Sequence, residues 1–364
     1  MQIRVEALRE ALELVKPAVP RKATIKSTRY VLLRDGKAVA TDLDVAVELE
    51  VPGFEGEVLI PHKDALEALK RIPAAELLNI GVEGERLVLS WSKGKTFFEA
   101  LDAEEFPPIP EVKGEEVSLD GDRLIKAMTS ALPYCSKDDK ARPVLAGILL
   151  SLGEKVEVVA TDGFRMAYQQ LPLTSPFERK VVVPGEAVKV LEHLWKQIPP
   201  APESKGSIIE RVLAKRELTL VLEQDKASFR FGRVAVLAKL IEGQYPNYRE
   251  IMPRDDDWPK ITFFAQDMER EVRRLREVNN VIRLSWENTT LRLRAIEEKK
   301  EAEGAIEAKA EAPGRIALDA RYLLDYLKGK EGMVVMAVTA EKSPAVFRHS
   351  GSPLVVIMPM HVQW

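Results

Sequence analysis

The sequence of 364 residues predicts an α+β fold in which three similar domains each combine antiparallel sheet with two helices. Three observations support this prediction. A strand followed by an amphipathic helix occurs three times, with a period of about 120 residues. A second helical segment opens each repeat. Between the helices, short stretches alternate apolar and polar residues, which is typical of strands.

The strand–helix unit is the clearest part of the repeat. In each copy an apolar, β-branched run meets Pro or Asp. Apolar residues then recur three and four positions apart, as in a helix with one buried face. The three copies span residues 58–73, 181–199 and 316–332.

Other segments recur around this unit and divide the chain. The tripeptide Ala-Thr-Asp occurs at residues 40–42 and again at 160–162, and the third repeat has lost it. Proline-rich, charged stretches near Lys113 and Pro253 suit linkers between domains. We therefore predict three domains, at residues 1–113, 114–253 and 254–364.

Charge and cysteine content restrict the class of protein. The chain has 54 Lys and Arg against 57 Asp and Glu, a net charge of −3, which excludes a histone-like polycation. Nucleic acid stays a possible partner because local patches matter more than the sum. The single cysteine, Cys135, allows no intrachain disulfide and favours a reducing, cytoplasmic location. No apolar run reaches the length of about 20 residues that spans a bilayer, so no membrane partner is expected.

Catalytic motifs are incomplete in this sequence. Residues 94–96, Gly-Lys-Thr, resemble the end of a P-loop, but Leu89 stands where the first glycine is needed. The four histidines are dispersed and form no zinc motif. Asp42 and Asp44 could bind a metal, but they fit a tight turn between strands better. We predict a protein that is not an enzyme and has no cofactor, with a metal-dependent hydrolase as one alternative.

Three equal domains in a row can form an arc, and two arcs joined head to tail close into a ring. A ring can be linked topologically to a polymer such as DNA, which needs little contact affinity. The six predicted helices sum to +4, against −7 for the rest of the chain. A helix-lined hole would therefore be weakly basic. The second alternative is a peptide-binding scaffold that does not encircle DNA.

Four segments carry a resemblance to a known family: ATDGFRMA at 160–167, ARPVLAGILL at 141–150, EGQYPNYREIMP at 242–253 and VVIMPM at 355–360. With the threefold repeat, the chain resembles the bacterial DNA sliding clamp, the β subunit of DNA polymerase III, over its full length. The resemblance implies a head-to-tail homodimeric ring whose helices line a hole around duplex DNA. It also implies a non-catalytic processivity factor of the cytoplasm, associated with the nucleoid.

The resemblance further implies partners and a shared hydrophobic pocket for them. The partners are double-stranded DNA without sequence specificity, a second copy of the chain, the replicative polymerase, the clamp loader and other proteins with a clamp-binding peptide. Phe164 and Glu250 depart from residues common in the family, and residues 361–364 extend past its usual end. Carried over, the pocket comprises Leu145, Thr161, Gly163, Phe164, Arg165, Met166, Pro246, Ile251, Val356, Met358, Pro359 and Met360.

DNA contacts and ring closure complete the expectations. A sliding ring should contact phosphates and not bases. At the ring interface, Phe98 and Leu275 are the expected apolar contacts, and basic Lys93 and Lys95 could face the six glutamates of Glu297–Glu311. The candidate DNA contacts are Arg21, Lys22, Arg123, Lys126, Lys137, Lys140, Arg142, Arg273, Arg274 and Arg276.

Overall fold

The computed structural model describes residues 1–138, 140–198, 216–252 and 257–364. The chain forms two compact units. Unit 1 contains residues 1–129 and 173–242, and unit 2 contains residues 130–172 and 243–364. The predicted boundary at Pro253 lies outside the described residues, and the division into three domains stays a prediction.

Apart from the short helix Tyr248–Ile251, each α-helix of the described residues begins directly after a strand, and the residue that ends the strand has an extended conformation. Arg4 and Asp319 are examples, with ψ of 143° and 124°. Short 3₁₀ helices span Lys16–Ala18, Lys26–Arg29, Ala103–Glu105, Leu132–Tyr134 and Pro143–Ala146. The α-helices of the described residues are α1 Val5–Val15, α2 His62–Leu69, α3 Gly121–Ala131, α4 Gly185–Gln197, α5 Tyr248–Ile251, α6 Ala265–Arg276 and α7 Ala320–Leu327.

The strands are short and most alternate with tight turns. In the described residues they are β1 Gln2–Arg4, β2 Tyr30–Arg34, β3 Lys37–Thr41, β4 Val45–Glu50, β5 Glu57–Pro61, β6 Leu77–Glu83, β7 Arg86–Trp91, β8 Gly94–Glu99, β9 Glu115–Asp120, β10 Gly147–Leu152, β11 Val156–Thr161, β12 Arg165–Leu171, β13 Arg179–Pro184, β14 Glu217–Leu222, β15 Lys226–Phe231, β16 Val234–Lys239, β17 Lys260–Phe264, β18 Val281–Glu287, β19 Thr290–Glu297, β20 Lys300–Ala310, β21 Gly314–Asp319, β22 Met333–Ala337, β23 Ala345–Arg348 and β24 Leu354–Ile357.

The predicted repeat is visible in this order of elements. The first, ninth and seventeenth strands each run into a helix, and so do the fifth, thirteenth and twenty-first. Within the described residues, each repeat therefore supplies eight strands and places its two long helices at the same points. The α+β prediction and the recurring strand–helix unit are confirmed.

Unit 1 contains two antiparallel sheets. The strand order is β5-β2-β3-β4-β16-β15-β14-β9 in one and β1-β6-β7-β8 in the other. In the larger sheet, β4 from the first repeat pairs with β16 from the second, with Val45 opposite Ala238 and Leu49 opposite Val234. The sheet thus continues across the predicted boundary near Lys113.

The helices of unit 1 bury one apolar face. Leu8 and Leu12 of α1 and Leu69 of α2 are fully buried. Between these helices the buried imidazole Nε2 of His62 lies 2.9 Å from the carbonyl oxygen of Leu12. Burial lowers the pKa of His62, so the neutral ring donates this hydrogen bond at neutral pH.

In unit 2 the strands follow one another in the order β10-β11-β12-β24-β23-β22-β17-β20-β19-β18-β21, and each pair of neighbours is antiparallel. Here β12 of the second repeat pairs with β24 of the third, with Arg165 opposite Ile357. This join is the counterpart of the β4–β16 join in unit 1. No helix in the described part of the chain is long and apolar enough to cross a membrane.

Candidate functional site

A tight turn between β11 and β12 is the centre of the candidate site. The Asp162 carboxylate accepts hydrogen bonds from the backbone N–H groups of Phe164 (2.9 Å) and Arg165 (3.0 Å). The Thr161 hydroxyl donates to the Arg165 carbonyl oxygen at 2.7 Å and accepts from the Gly163 N–H at 3.1 Å. Gly163 has φ of 93°, a conformation that glycine adopts without strain. The turn is therefore fixed, and it presents the Phe164 ring, 63% exposed, to solvent.

Arg165, the first residue of β12, fixes this turn through its buried side chain. Its guanidinium is buried and pairs with Asp162 at 3.0 Å and with Asp325 at 2.8 Å, and it donates to the Pro133 carbonyl oxygen at 2.6 Å. Burial alone would lower the pKa of Arg165, but the two carboxylates outweigh burial and raise it. The group stays charged and ties β12 to α7.

Two tyrosine rings lie close to the same guanidinium. The ring of Tyr322 lies 4.4 Å from it and that of Tyr134 lies 5.1 Å from it, both within cation–π range. Sequence reasoning missed Tyr134, Tyr322 and Asp325. The signal that could have found them is Arg165 itself, because an arginine among the buried residues of a strand needs several partners.

The last strand brings the C-terminal part of the predicted pocket to the turn. In the β12–β24 pairing Met166 lies opposite Val356, and both side chains are buried. The Met358 N–H donates to the Phe164 carbonyl oxygen at 2.9 Å. Met358 and Met360 are 45% and 38% exposed, so flexible apolar side chains reach solvent beside the turn.

The segment around Pro246 is attached to the same strands. The Tyr245 hydroxyl accepts from the Thr161 N–H at 3.1 Å, and the Tyr248 N–H donates to the Pro246 carbonyl oxygen at 2.7 Å. Burial raises the pKa of Tyr245, so the hydroxyl stays protonated. Pro246 is exposed and therefore stands at the surface next to the turn.

A buried carboxylate holds α5 in place. Glu157 accepts hydrogen bonds from Tyr168 at 2.8 Å, from Tyr248, and from Arg249 at 2.7 Å. Burial would raise the pKa of Glu157, but the hydrogen bonds from Tyr248, Arg249 and Tyr168 together outweigh burial and lower it. The carboxylate is ionised at neutral pH and fixes the segment that carries Pro246.

The predicted pocket residues thus fall into two groups within unit 2. One is a buried base, and the other is a set of surface groups: Gly163, Phe164, Pro246, Met358, Pro359 and Met360. The side chain of Ile251 lies outside the described residues. The base consists of Leu145, Thr161, Arg165, Met166 and Val356.

The predicted DNA contacts are all exposed, but their ion pairs differ. Three of them are engaged: Arg123 pairs with Asp120, Arg273 with Glu269 and Arg274 with Glu271. Arg274 also donates to the Glu303 carbonyl oxygen at 2.6 Å, so it is the least available. Within the described residues the others have no ion-pair partner within 4.0 Å: Arg21, Lys22, Lys126, Lys137, Lys140, Arg142 and Arg276.

Arg142 also borders the pocket turn. A Cβ atom added to Gly163 would lie 3.6 Å from its guanidinium nitrogen. The basic loop of unit 2 that contains Lys137 and Lys140 therefore ends beside the predicted pocket. The sequence indicated both features but not their proximity.

The two predicted interface residues have different surroundings. Phe98 lies half-buried on β8, the edge strand of its sheet, while its neighbour Phe97 is 41% exposed with Lys95 5.0 Å from the ring. Leu275 is 0% exposed in the core of unit 2, so the expectation that it forms a surface contact is wrong. Its spacing from Met268 and Val272 is that of a buried helix face.

The C-terminal residues lie along the sheet of unit 2. The Met360 N–H donates to the Ala317 carbonyl oxygen at 2.8 Å. Farther along, Arg315 lies 4.7 Å from the Trp364 ring, which is 43% exposed. The extension 361–364 therefore contacts the strand at the edge of this sheet.

The aspartates considered as metal ligands are part of turns. The Asp42 carboxylate accepts from the N–H groups of Asp44 at 3.1 Å and Val45 at 2.8 Å, which confirms the turn interpretation. Among the described residues, no group of three or more His, Cys, Asp or Glu could hold a metal ion.

Comparisons with known proteins agree with this architecture. The model of the family described as DNA polymerase III beta subunit, central domain, matches residues 119–200. The Beta sliding clamp of Pseudomonas aeruginosa is 26% identical, over 99% of this chain and 99% of that protein. The crystal structure of the DNA polymerase III subunit beta from the same species matches with a TM-score of 0.86 at 26% identity, over 99% of each chain.

A Pseudomonas aeruginosa sliding clamp bound to griselimycin matches with a TM-score of 0.86 at 25% identity, over 100% of this chain and 99% of that chain. The likeness therefore covers both units and not the central segment alone. The strand–helix repeat, the antiparallel sheets and these full-length matches together make the chain similar, over its whole length, to the bacterial beta sliding clamps, the beta subunits of DNA polymerase III.

Proposed function

We propose that this chain is a DNA polymerase processivity factor that works as a head-to-tail dimeric ring around duplex DNA. The ring slides without reading sequence and tethers the replicative polymerase and other partners through the pocket of unit 2. Because the proposed ring encircles chromosomal DNA, we place the protein in the cytoplasm, associated with the nucleoid.

The pattern of strand joins carries this proposal. Each repeat has eight strands, and the fourth strand of one repeat pairs with the eighth strand of the next, as in β4–β16 and β12–β24. After two such joins, the eighth strand of the first repeat, β8, and the fourth strand of the third repeat, β20, remain. A second copy supplies the missing partner for each, and two copies then close a ring with identical interfaces.

Both remaining strands have an edge available. β8 is the edge strand of its sheet. Residues 300–307 of β20 pair with β19, and β17 pairs only with residues 308–310 in the described part of the chain. Lys95 on β8 and Glu307 on β20 are exposed and have opposite charges. Edge pairing with complementary charge favours head-to-tail closure over pairing of two like edges.

The surface of unit 2 suits an extended apolar peptide. Phe164, Met358 and Met360 offer adaptable apolar contacts, while the two ion pairs of the buried Arg165 keep the base rigid. A rigid base lowers the ordering cost of binding. The Pseudomonas aeruginosa clamp bound to griselimycin supports ligand binding by a protein of this fold.

Binding to DNA is proposed to use phosphate contacts from the unpaired cations of both units. Such contacts are independent of sequence and weaken with salt, as sliding requires. The chain itself catalyses no reaction in this proposal, and loading depends on a separate ATP-driven loader. Neither alternative, the hydrolase or the scaffold that does not encircle DNA, is favoured by the comparisons.

Primer extension tests the proposal. On a long, singly primed circular template, a polymerase and clamp loader from a bacterium with a related clamp should make much longer products when this chain is added. The gain should require the loader and ATP. A chain with both Pro359→Ala and Met360→Ala should give little gain, whereas Lys155→Glu, an exposed charge change in the turn between β10 and β11, should behave as wild type. Unchanged product length with the wild-type chain would contradict the proposal.

A further inference from the structure

A second turn in unit 1 has the same hydrogen bonds as the pocket turn of unit 2. The Thr41 hydroxyl donates to the Val45 carbonyl oxygen at 2.9 Å and accepts from the Leu43 N–H at 2.9 Å. Asp42 accepts from the N–H groups of Asp44 and Val45, as Asp162 does from the equivalent groups. The two turns are therefore counterparts in the repeat.

The neighbouring strand is equivalent as well. Val45 pairs with Ala238 as Arg165 pairs with Ile357. The Lys239 N–H donates to the Asp44 carbonyl oxygen at 2.9 Å, and the bond between Met358 and Phe164 has the same length. Lys239 thus occupies the position that Met358 has in unit 2, and Asp44 occupies the position of Phe164.

A cavity of about 290 Å³ lies at this place in unit 1. Leu43, Val45, Pro107, Ile109 and Leu237 supply apolar walls. The segment from Pro107 to Pro110 is held between Phe106 and Val112, which are 6% and 3% exposed. A volume of this size, with apolar walls and a few polar groups at the rim, is that of a small ligand pocket.

The charges at the rim define the ligand. Asp225 and Lys226 lie 3.7 Å apart and pair with each other. Asp44 and Lys239 are exposed and have no ion-pair partner within 4.0 Å among the described residues. The rim therefore offers one unpaired anion, Asp44 in the turn before β4, and one unpaired cation, Lys239 at the end of β16, beside an apolar cavity.

We propose that this cavity is a second peptide-binding site, which takes an extended peptide with apolar anchor residues flanked by one basic and one acidic residue. The basic residue pairs with Asp44, the acidic residue pairs with Lys239, and the apolar side chains enter the cavity. The proposal uses the turn of unit 2 as a structural counterpart, but binding at this site does not depend on peptide binding there.

Fluorescence anisotropy with the full-length chain tests the site. The probes are labelled tetrapeptides Lys-Leu-Leu-Asp and Asp-Leu-Leu-Lys. Both orders are used because the charges at the rim do not determine the direction in which the peptide chain runs. Matched probes replace the acid by Asn or the base by Gln. The better charged probe should bind saturably and more tightly than either neutral version, by up to about fivefold, which corresponds to an exposed ion pair of about 1 kcal/mol.

Single charge reversals assign each contact. Lys239→Glu should abolish the preference for probes with Asp over probes with Asn and leave the preference for Lys over Gln. Asp44→Lys should abolish the preference for probes with Lys over probes with Gln and leave the preference for Asp over Asn. Leu43→Gly should weaken both probes about equally without lowering stability. Lys63→Glu, a matched change on α2 of the same unit, should have no effect.

The unit 2 variant Pro359→Ala, Met360→Ala separates the two sites. It should leave tetrapeptide binding unchanged whatever it does to polymerase tethering. Loss of tetrapeptide binding in that variant would place the probe in unit 2 and overturn the proposal. Absence of saturable binding, or equal preferences in Lys239→Glu and wild type, would overturn it as well.

Discussion

Gly163 and Leu43 occupy the same position in two turns with the same hydrogen bonds, and both have positive φ, 93° and 86°. Glycine adopts this conformation freely, whereas a leucine side chain there strains the backbone. Leu43 is 50% exposed, so little burial offsets the strain. The same turn is thus relaxed in unit 2 and strained in unit 1.

Exchanging the residues should reveal that strain. Leu43→Gly should raise the free energy of unfolding by about 0.5–1 kcal/mol, since relief of left-handed strain exceeds the entropy cost of glycine. Gly163→Ala should lower it by about 1 kcal/mol. Urea denaturation measures both changes. Gly53→Ala is a matched control for Gly163→Ala, since Gly53 has φ of 80° and open space around it. It should lower the free energy of unfolding by the same amount and leave partner binding unchanged.

The buried Arg165 should contribute far more to stability than an exposed arginine with the same local ion pair. Arg165→Met leaves Asp162 and Asp325 without their cation and should cost about 3 kcal/mol in chemical denaturation. Arg123→Met is the control, because its Nε lies 3.1 Å from Asp120 at the same spacing in sequence. It is half-exposed and should cost less than about 1 kcal/mol. Equal costs would show that burial of Arg165 has no energetic role.

The pocket should depend on its terminal residues. Met360→Ala and Pro359→Ala should each weaken binding of a polymerase-derived clamp-binding peptide by about 1–3 kcal/mol, the range of an interface anchor. Isothermal titration measures the affinities, and Met333→Ala serves as control because Met333 is also exposed, at 46%, but lies outside the pocket set. Wild-type affinity in both pocket variants would remove these residues from the site.

The basic loop of unit 2 should contact phosphates. Reversing Lys137, Lys140 and Arg142 to Glu together should weaken DNA association and reduce the slope of affinity against salt concentration. Because Arg142 borders Gly163, the double variant Lys137→Glu, Lys140→Glu is needed to separate DNA contact from pocket effects. Retention of wild-type loading by both variants at low salt would exclude this loop from the DNA surface.

Local signals in the sequence predicted local structure well. The tight turn predicted at Asp42 and Asp44 is present, and Asp162, in the second copy of Ala-Thr-Asp, makes the same hydrogen bonds as Asp42. Long-range relationships left no such signal. Arg165 and Asp325 are 160 residues apart in sequence, and only the fold brings them together.

The joins between repeats were missed for the same reason. Strand pairing between β4 and β16 or between β12 and β24 depends on which edges meet, and an alternating strand does not specify its partner. The error at Leu275 has another origin. Leu275 follows Met268 and Val272 at the spacing of a buried helix face. This pattern favours a core position over an interface contact.

Topological linkage to DNA is the central claim, and linearisation tests it most directly. The chain is loaded by a clamp loader onto nicked circular DNA, the protein–DNA complex is isolated, and a restriction enzyme then opens the circle. A sliding ring should leave the linear DNA through its ends, and blocking both ends with biotin–streptavidin should retain it. Equal retention on circular and on unblocked linear DNA would contradict the ring, because a protein held only by local contacts does not dissociate through free DNA ends.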